Sequence, residues 1–106
     1  MRTVQLRAAH RGEDHRYFSA TVKDDGSLVL SGHDLGPATA IVSPDGEYEY
    51  WFIVQAADIP QLLHRLGASD DQDILDVLEA EWRDDKAVAL EDIVQAEIPH
   101  RFASYP

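Results

Sequence analysis

Apolar and polar residues alternate with a period of two through the first half of the chain. Between residues 47 and 56 this places Tyr48, Tyr50, Phe52, Val54 and Ala56 on one face of an extended segment, and Glu47, Glu49, Trp51, Ile53 and Gln55 on the other. From Trp51 to Val54 both faces are apolar, which predicts a central strand covered on both sides, or on one side plus a partner. A first strand over 3–9 puts Val4, Leu6 and Ala8 on one face and Thr3, Gln5 and Arg7 on the other. A second over 16–24 turns Phe18, Ala20 and Val22 inward. Asp25-Gly26 predicts a tight hairpin, because glycine accepts positive φ without a steric penalty, and a third strand follows over about 27–32. Residues 10–15 read as a polar loop around Gly12, and residues 31–37, with two glycines and a proline, as a turn, bulge or change of direction. Thr39-Ala40-Ile41-Val42 predicts another extended run over 38–43, closed by a Pro44-Asp45-Gly46 turn.

After Ala57 the period lengthens to 3.6. Ile59, Leu62, Leu63 and Leu66 form a helical stripe, with Asp58 placed to cap it, Pro60 tolerated in its first turn and Gly67 ending it. Ser69-Asp70-Asp71-Gln72 fits a capping box opening a second helix, in which Ile74, Leu75, Leu78 and Trp82 share one side and Asp73, Asp76 and Glu79 the other. A third helix over about 86–97 buries Leu90, Ile93 and Val94, Pro99 stops it, and residues 101–105 form a short last strand or an extended tail. Strands first and helices afterwards predict a single α+β domain over 1–106. It has an antiparallel sheet of four to five strands, within 3–56 plus the tail, and about three helices over 58–97 packed on one face.

Charge changes this picture more than composition does. Twenty acidic residues against nine basic ones give a net charge of -11. That balance repels phosphate backbones and anionic lipid, so nucleic-acid and membrane partners are not expected, and a basic protein partner is favoured. The chain has no cysteine, which removes disulfides, thiolate metal sites and cysteine nucleophiles. The first residues alternate polar and apolar, unlike a signal peptide, so a cytoplasmic location is expected.

Candidate chemistry is sparse. His33 beside Asp34 on the 31–37 segment is the best base or ligand candidate, although neighbours in extended chain point apart. His10 and His15 flank Glu13 and Asp14 but lack the fixed spacing of a metal motif, and Glu47 with Glu49 could mimic a carboxylate pair. No phosphate loop, dinucleotide fingerprint or nucleophile elbow occurs, so no catalytic, cofactor or metal residue is assigned. Acidity interleaved with aromatics does stand out. Glu47, Glu49 and Trp51 on the strand, and Asp73, Asp76 and Glu79 on the helix, are the candidate protein-binding residues, with aromatics as anchors and acids steering a basic partner.

The segments Leu30-Ser31-Gly32-His33-Asp34-Leu35-Gly36-Pro37, Asp45-Gly46-Glu47-Tyr48-Glu49-Tyr50 and Ile98-Pro99-His100-Arg101-Phe102-Ala103-Ser104-Tyr105 resemble those of small actinobacterial proteins, some of which are similar to immunity proteins of polymorphic toxin systems. The resemblance implies a non-enzymatic antitoxin-like module that neutralises or regulates a basic partner such as a toxin domain. Two other readings stay open. One is a small enzyme or ligand-binding domain using His33 and Asp34. The other is a homodimeric structural module that buries a second face through Trp51 and Ile53.

Overall fold

The computed structural model describes residues 1–36 and 46–105. It is the expected α+β arrangement: β1 (Arg2–Arg11), β2 (Asp14–Val22), β3 (Leu28–Leu35), β4 (Glu47–Val54), α1 (Ile59–Arg65), α2 (Ile74–Glu81), α3 (Asp85–Glu97) and β5 (Arg101–Tyr105). The five strands form one antiparallel meander in the order β1-β2-β3-β4-β5, so β4 lies between β3 and β5 and β3 is the middle strand. The extended run expected over 38–43 and most of its closing turn lie outside the described residues.

The helices cover one face of the sheet. Val4 and Leu6 of β1, Phe18 and Ala20 of β2, Leu28 and Leu30 of β3, and Phe52 and Val54 of β4 meet Leu62, Leu63, Leu75, Leu78, Leu90 and Val94 from the helices in one apolar core. Trp51 and Ile53 alternate to the other side and stay partly exposed, so the apolar run of β4 is covered on one side only.

The first strand departs from its expected phase. A bulge between Gln5 and Arg7 leaves Leu6 unpaired across the ladder, and pairing resumes with Arg7 opposite Phe18 and Ala8 opposite Tyr17. One extra residue inverts the alternation beyond it. Arg7 therefore turns to the helix side and Ala8 to the open side, the reverse of strict period two. The Leu6 carbonyl accepts a hydrogen bond from the Asp84 backbone N–H at 2.7 Å, so the link between α2 and α3 supplies the bulge with a partner.

The polar loop expected over 10–15 contracts to a two-residue turn, because His10 pairs with His15 and Arg11 with Asp14 within the ladder. Likewise β3 continues to Leu35 instead of breaking at Ser31. His33, Asp34 and Leu35 are ladder residues, with partners on both β2 and β4.

The helix caps differ in detail. Asp58 makes no side-chain cap, since its backbone is already helical at the end of a short 3₁₀ turn over Ala56–Asp58. Gln72 does reach back to the Ser69 N–H at 2.9 Å, but α2 starts later, at Ile74. Its cap is Asp73, whose carboxylate accepts from the Leu75 N–H at 2.9 Å and the Asp76 N–H at 3.1 Å.

Candidate functional site

Because the helices occupy one side, alternation sends a defined set of side chains to the other. None of the described residues facing that open side is buried. Register aligns them into rows across the strands. Ala8, Tyr17, His33, Glu49 and Tyr105 form a row through all five strands, next to His10, His15, Leu35 and Glu47. On the other flank of the first row lie Gln5, Ser19, Ser31, Trp51 and Ala103.

His33 stands at the centre of this face. Its Nε2 lies 2.8 Å from Glu47 Oε1 and 3.5 Å from Glu49 Oε1. Glu49 is its direct cross-strand partner and Glu47 the diagonal one, which is the geometry in which side chains on adjacent antiparallel strands meet. At the hairpin end, His10 Nδ1 faces His15 Nδ1. The His15 ring stacks on Tyr17, with centroids 6.3 Å apart and planes 1° from parallel, and His10 meets Tyr17 edge-on. Three of the five histidines thus share one face with Glu47, Glu49 and Trp51.

The adjacent side chains of His33 and Asp34 lie on opposite sides of the sheet. Strand alternation sends His33 outward and Asp34 to the helix side, where Arg16 Nη1 donates to Asp34 Oδ2 at 3.1 Å. A second polar cluster gathers there, beyond the apolar core. The Tyr50 hydroxyl donates to Glu91 Oε2 at 3.4 Å, and the Tyr50 ring stacks against Tyr48 and lies over Gly32. Burial raises the Asp34 carboxyl above its ordinary value, and nearby Arg16 and Arg7 only partly oppose it. Burial also raises the Glu91 carboxyl, and burial together with the Glu91 charge pushes the Tyr50 phenol far up. Beside this cluster Arg7, Ala9, His10, Arg11, Asp14 and Arg16 line a cleft of about 450 Å³. The bulge in β1 is what brings Arg7 to it, and period-two reading of the sequence could not show that.

The helix candidates form a separate group. Asp73, Asp76 and Glu79 gather around the Arg2 guanidinium, whose Nη2 donates to Asp76 at 2.7 Å and whose Nη1 lies 3.5 Å from Asp73. Arg2 aligns with Val22, Leu28 and Val54 across the sheet, whereas Glu47 lies at the opposite end of β4. Seven strand steps to Glu47 and five to Glu49, at about 3.3 Å each, place the two acidic groups roughly 17–23 Å apart along the strands, and on opposite layers. The six candidate docking residues therefore make two surfaces. The acids around Arg2 are partly committed to it, and Asp73 also caps α2.

The fold and these sites define a small α+β domain: an antiparallel meander with helices on one face and, on the other, an open face that carries Glu47, Glu49, three histidines and Arg101. No family model, curated protein or solved structure matches the chain.

Proposed function

We propose that this protein is a non-enzymatic acidic binding module of immunity-protein type, which docks a basic protein partner on the open face of β3, β4 and β5. One observation carries the reading: Glu47, Glu49, Trp51 and Tyr105 share a face on which no described residue is buried. Acids beside half-exposed aromatics suit a basic partner, since charge steers the encounter while the rings supply contact area. A toxin domain with a basic substrate cleft fits that chemistry. The acids around Arg2 would contribute long-range attraction but not the contact.

Affinity capture from the native host with tagged protein tests the reading. Wild-type protein should retain a basic partner. Glu47→Lys with Glu49→Lys, or Trp51→Ala, should release it, and Asp76→Lys with Glu79→Lys should not. Recovery of no basic partner, or retention by the strand variants, contradicts the proposal.

The cleft on the helix side favours a second reading. Arginines lining a concavity, with a carboxyl raised by burial beside them, are a common arrangement at ligand sites. In that case Arg7, Arg11 and Arg16, which line the cleft, would hold a small ligand, with Asp34 paired to Arg16 beside it, and His33, on the other face, would not. Loss of a bound small molecule in Arg7→Gln, with partner capture intact, would favour it. A homodimer through Trp51 and Ile53 would instead show as a concentration-dependent mass in light scattering.

A further inference from the structure

We propose that His33, Glu47 and Glu49 form a binding site for one first-row divalent cation, with Zn²⁺ as the representative ion. The donor atoms of the three side chains all lie within 4.8 Å of one another, on the open face of β3 and β4. The two spacings from His33 fit the edges of a coordination polyhedron. Ligands about 2.0–2.1 Å from a shared ion lie about 3.0 Å apart along octahedral edges and about 3.3 Å apart along tetrahedral ones. The observed separations from His33 Nε2, 2.8 Å to Glu47 and 3.5 Å to Glu49, bracket those values. A cation between the three donor atoms would replace the direct His33–Glu47 contact.

The scaffold suits the task, because all three residues sit within a hydrogen-bonded ladder instead of on a loop. β4 holds Glu47 and Glu49 two residues apart on one face, and β3 holds His33 directly opposite Glu49. One nitrogen and two carboxylates without sulfur suit Zn²⁺, Mn²⁺ or Co²⁺ better than Cu⁺, and nitrogen tells against Ca²⁺ and Mg²⁺, which take oxygen ligands. Three protein ligands leave at least one position open for water or for a donor from another molecule. The site shares Glu47 and Glu49 with the proposed docking surface, where a bound cation would offset their charge, so titration of the protein without any partner tests it apart from the docking reading.

Isothermal titration of metal-free protein with zinc chloride, and the visible absorption of the Co²⁺ form, test the proposal. One equivalent of Zn²⁺ should bind, and the affinity should fall on acidification because protons compete for all three ligands. His33→Gln and Glu49→Gln should each weaken binding by at least the roughly 10- to 100-fold that loss of a mere supporting partner costs at metal sites. The double variant His10→Gln, His15→Gln should leave the affinity unchanged. Undiminished affinity in His33→Gln and Glu49→Gln, loss of binding in the His10, His15 double variant, or absence of heat at excess Zn²⁺ would each overturn it. Urea midpoints of the variants at wild-type values confirm that lost binding reflects lost ligands.

Discussion

Gly32 lies buried in the middle strand, and the Tyr50 ring from β4 occupies the space where a side chain would stand. A Cβ there would overlap the ring at Cζ, Cε1 and the hydroxyl, so Gly32→Ala must displace Tyr50. Displacement costs the stack on Tyr48, the edge contact with Phe52 and the hydrogen bond to Glu91. Overpacking of this kind typically costs about 1–3 kcal/mol. Against it stands a gain of about 0.4–1 kcal/mol from a less flexible unfolded chain, available only where the native backbone suits alanine. The steric term wins, leaving a net loss of about 1–2 kcal/mol, or roughly 5–10 °C in Tm for a domain of this size. The diagnostic step is to repeat the change in a Tyr50→Ala background, where the obstacle is gone and alanine at 32 should be neutral or mildly stabilising. Urea denaturation of the four proteins gives the coupling between the two sites, expected to be at least about 1 kcal/mol. A neutral Gly32→Ala, or the same penalty with and without the Tyr50 ring, would show that the ring is not what position 32 accommodates.

Three further outcomes follow from the same contacts. Leu90→Ala, at a fully buried position of α3, should cost about 2–5 kcal/mol in urea denaturation, because the surrounding sheet cannot collapse into the space. Asp73→Ala should cost about 0.5–2 kcal/mol through loss of the two hydrogen bonds that cap α2, whereas Asp73→Asn should largely preserve them. Glu91 carries a carboxyl raised by burial, so the folded state holds its proton more tightly than the unfolded state, and its contribution to stability declines as pH rises from its ordinary value near 4.5 through the raised one. Glu91→Gln keeps an acceptor for Tyr50 and removes that decline. Urea midpoints at pH 4 and pH 7 should show the variant gaining on wild type as pH rises, and a constant difference would contradict this.

Much of this architecture was legible because amphipathic periodicity reports which face a side chain takes. Tyr50, Phe52 and Val54 fall on the helix side and Glu47, Glu49 and Trp51 on the open side, as alternation requires. Arg7 and Ala8 were not legible, because the bulge that inverts them depends on a carbonyl partner supplied by Asp84, distant in the chain. Glycine at position 32 suggested an interruption of β3; in the fold it accommodates a ring from the neighbouring strand. The His33, Glu47, Glu49 grouping escaped motif reading for a related reason. Its members meet through cross-strand register, across fourteen positions from His33 to Glu47, and not through spacing along one element.

Carbodiimide labelling of carboxylates, with and without the captured partner, tests most directly whether the open sheet face is the working surface. Partner binding should shield Glu47 and Glu49 while Asp76 and Glu79 keep their labelling rates. Unchanged labelling of Glu47 and Glu49, with shielding confined to the acids around Arg2, would contradict it.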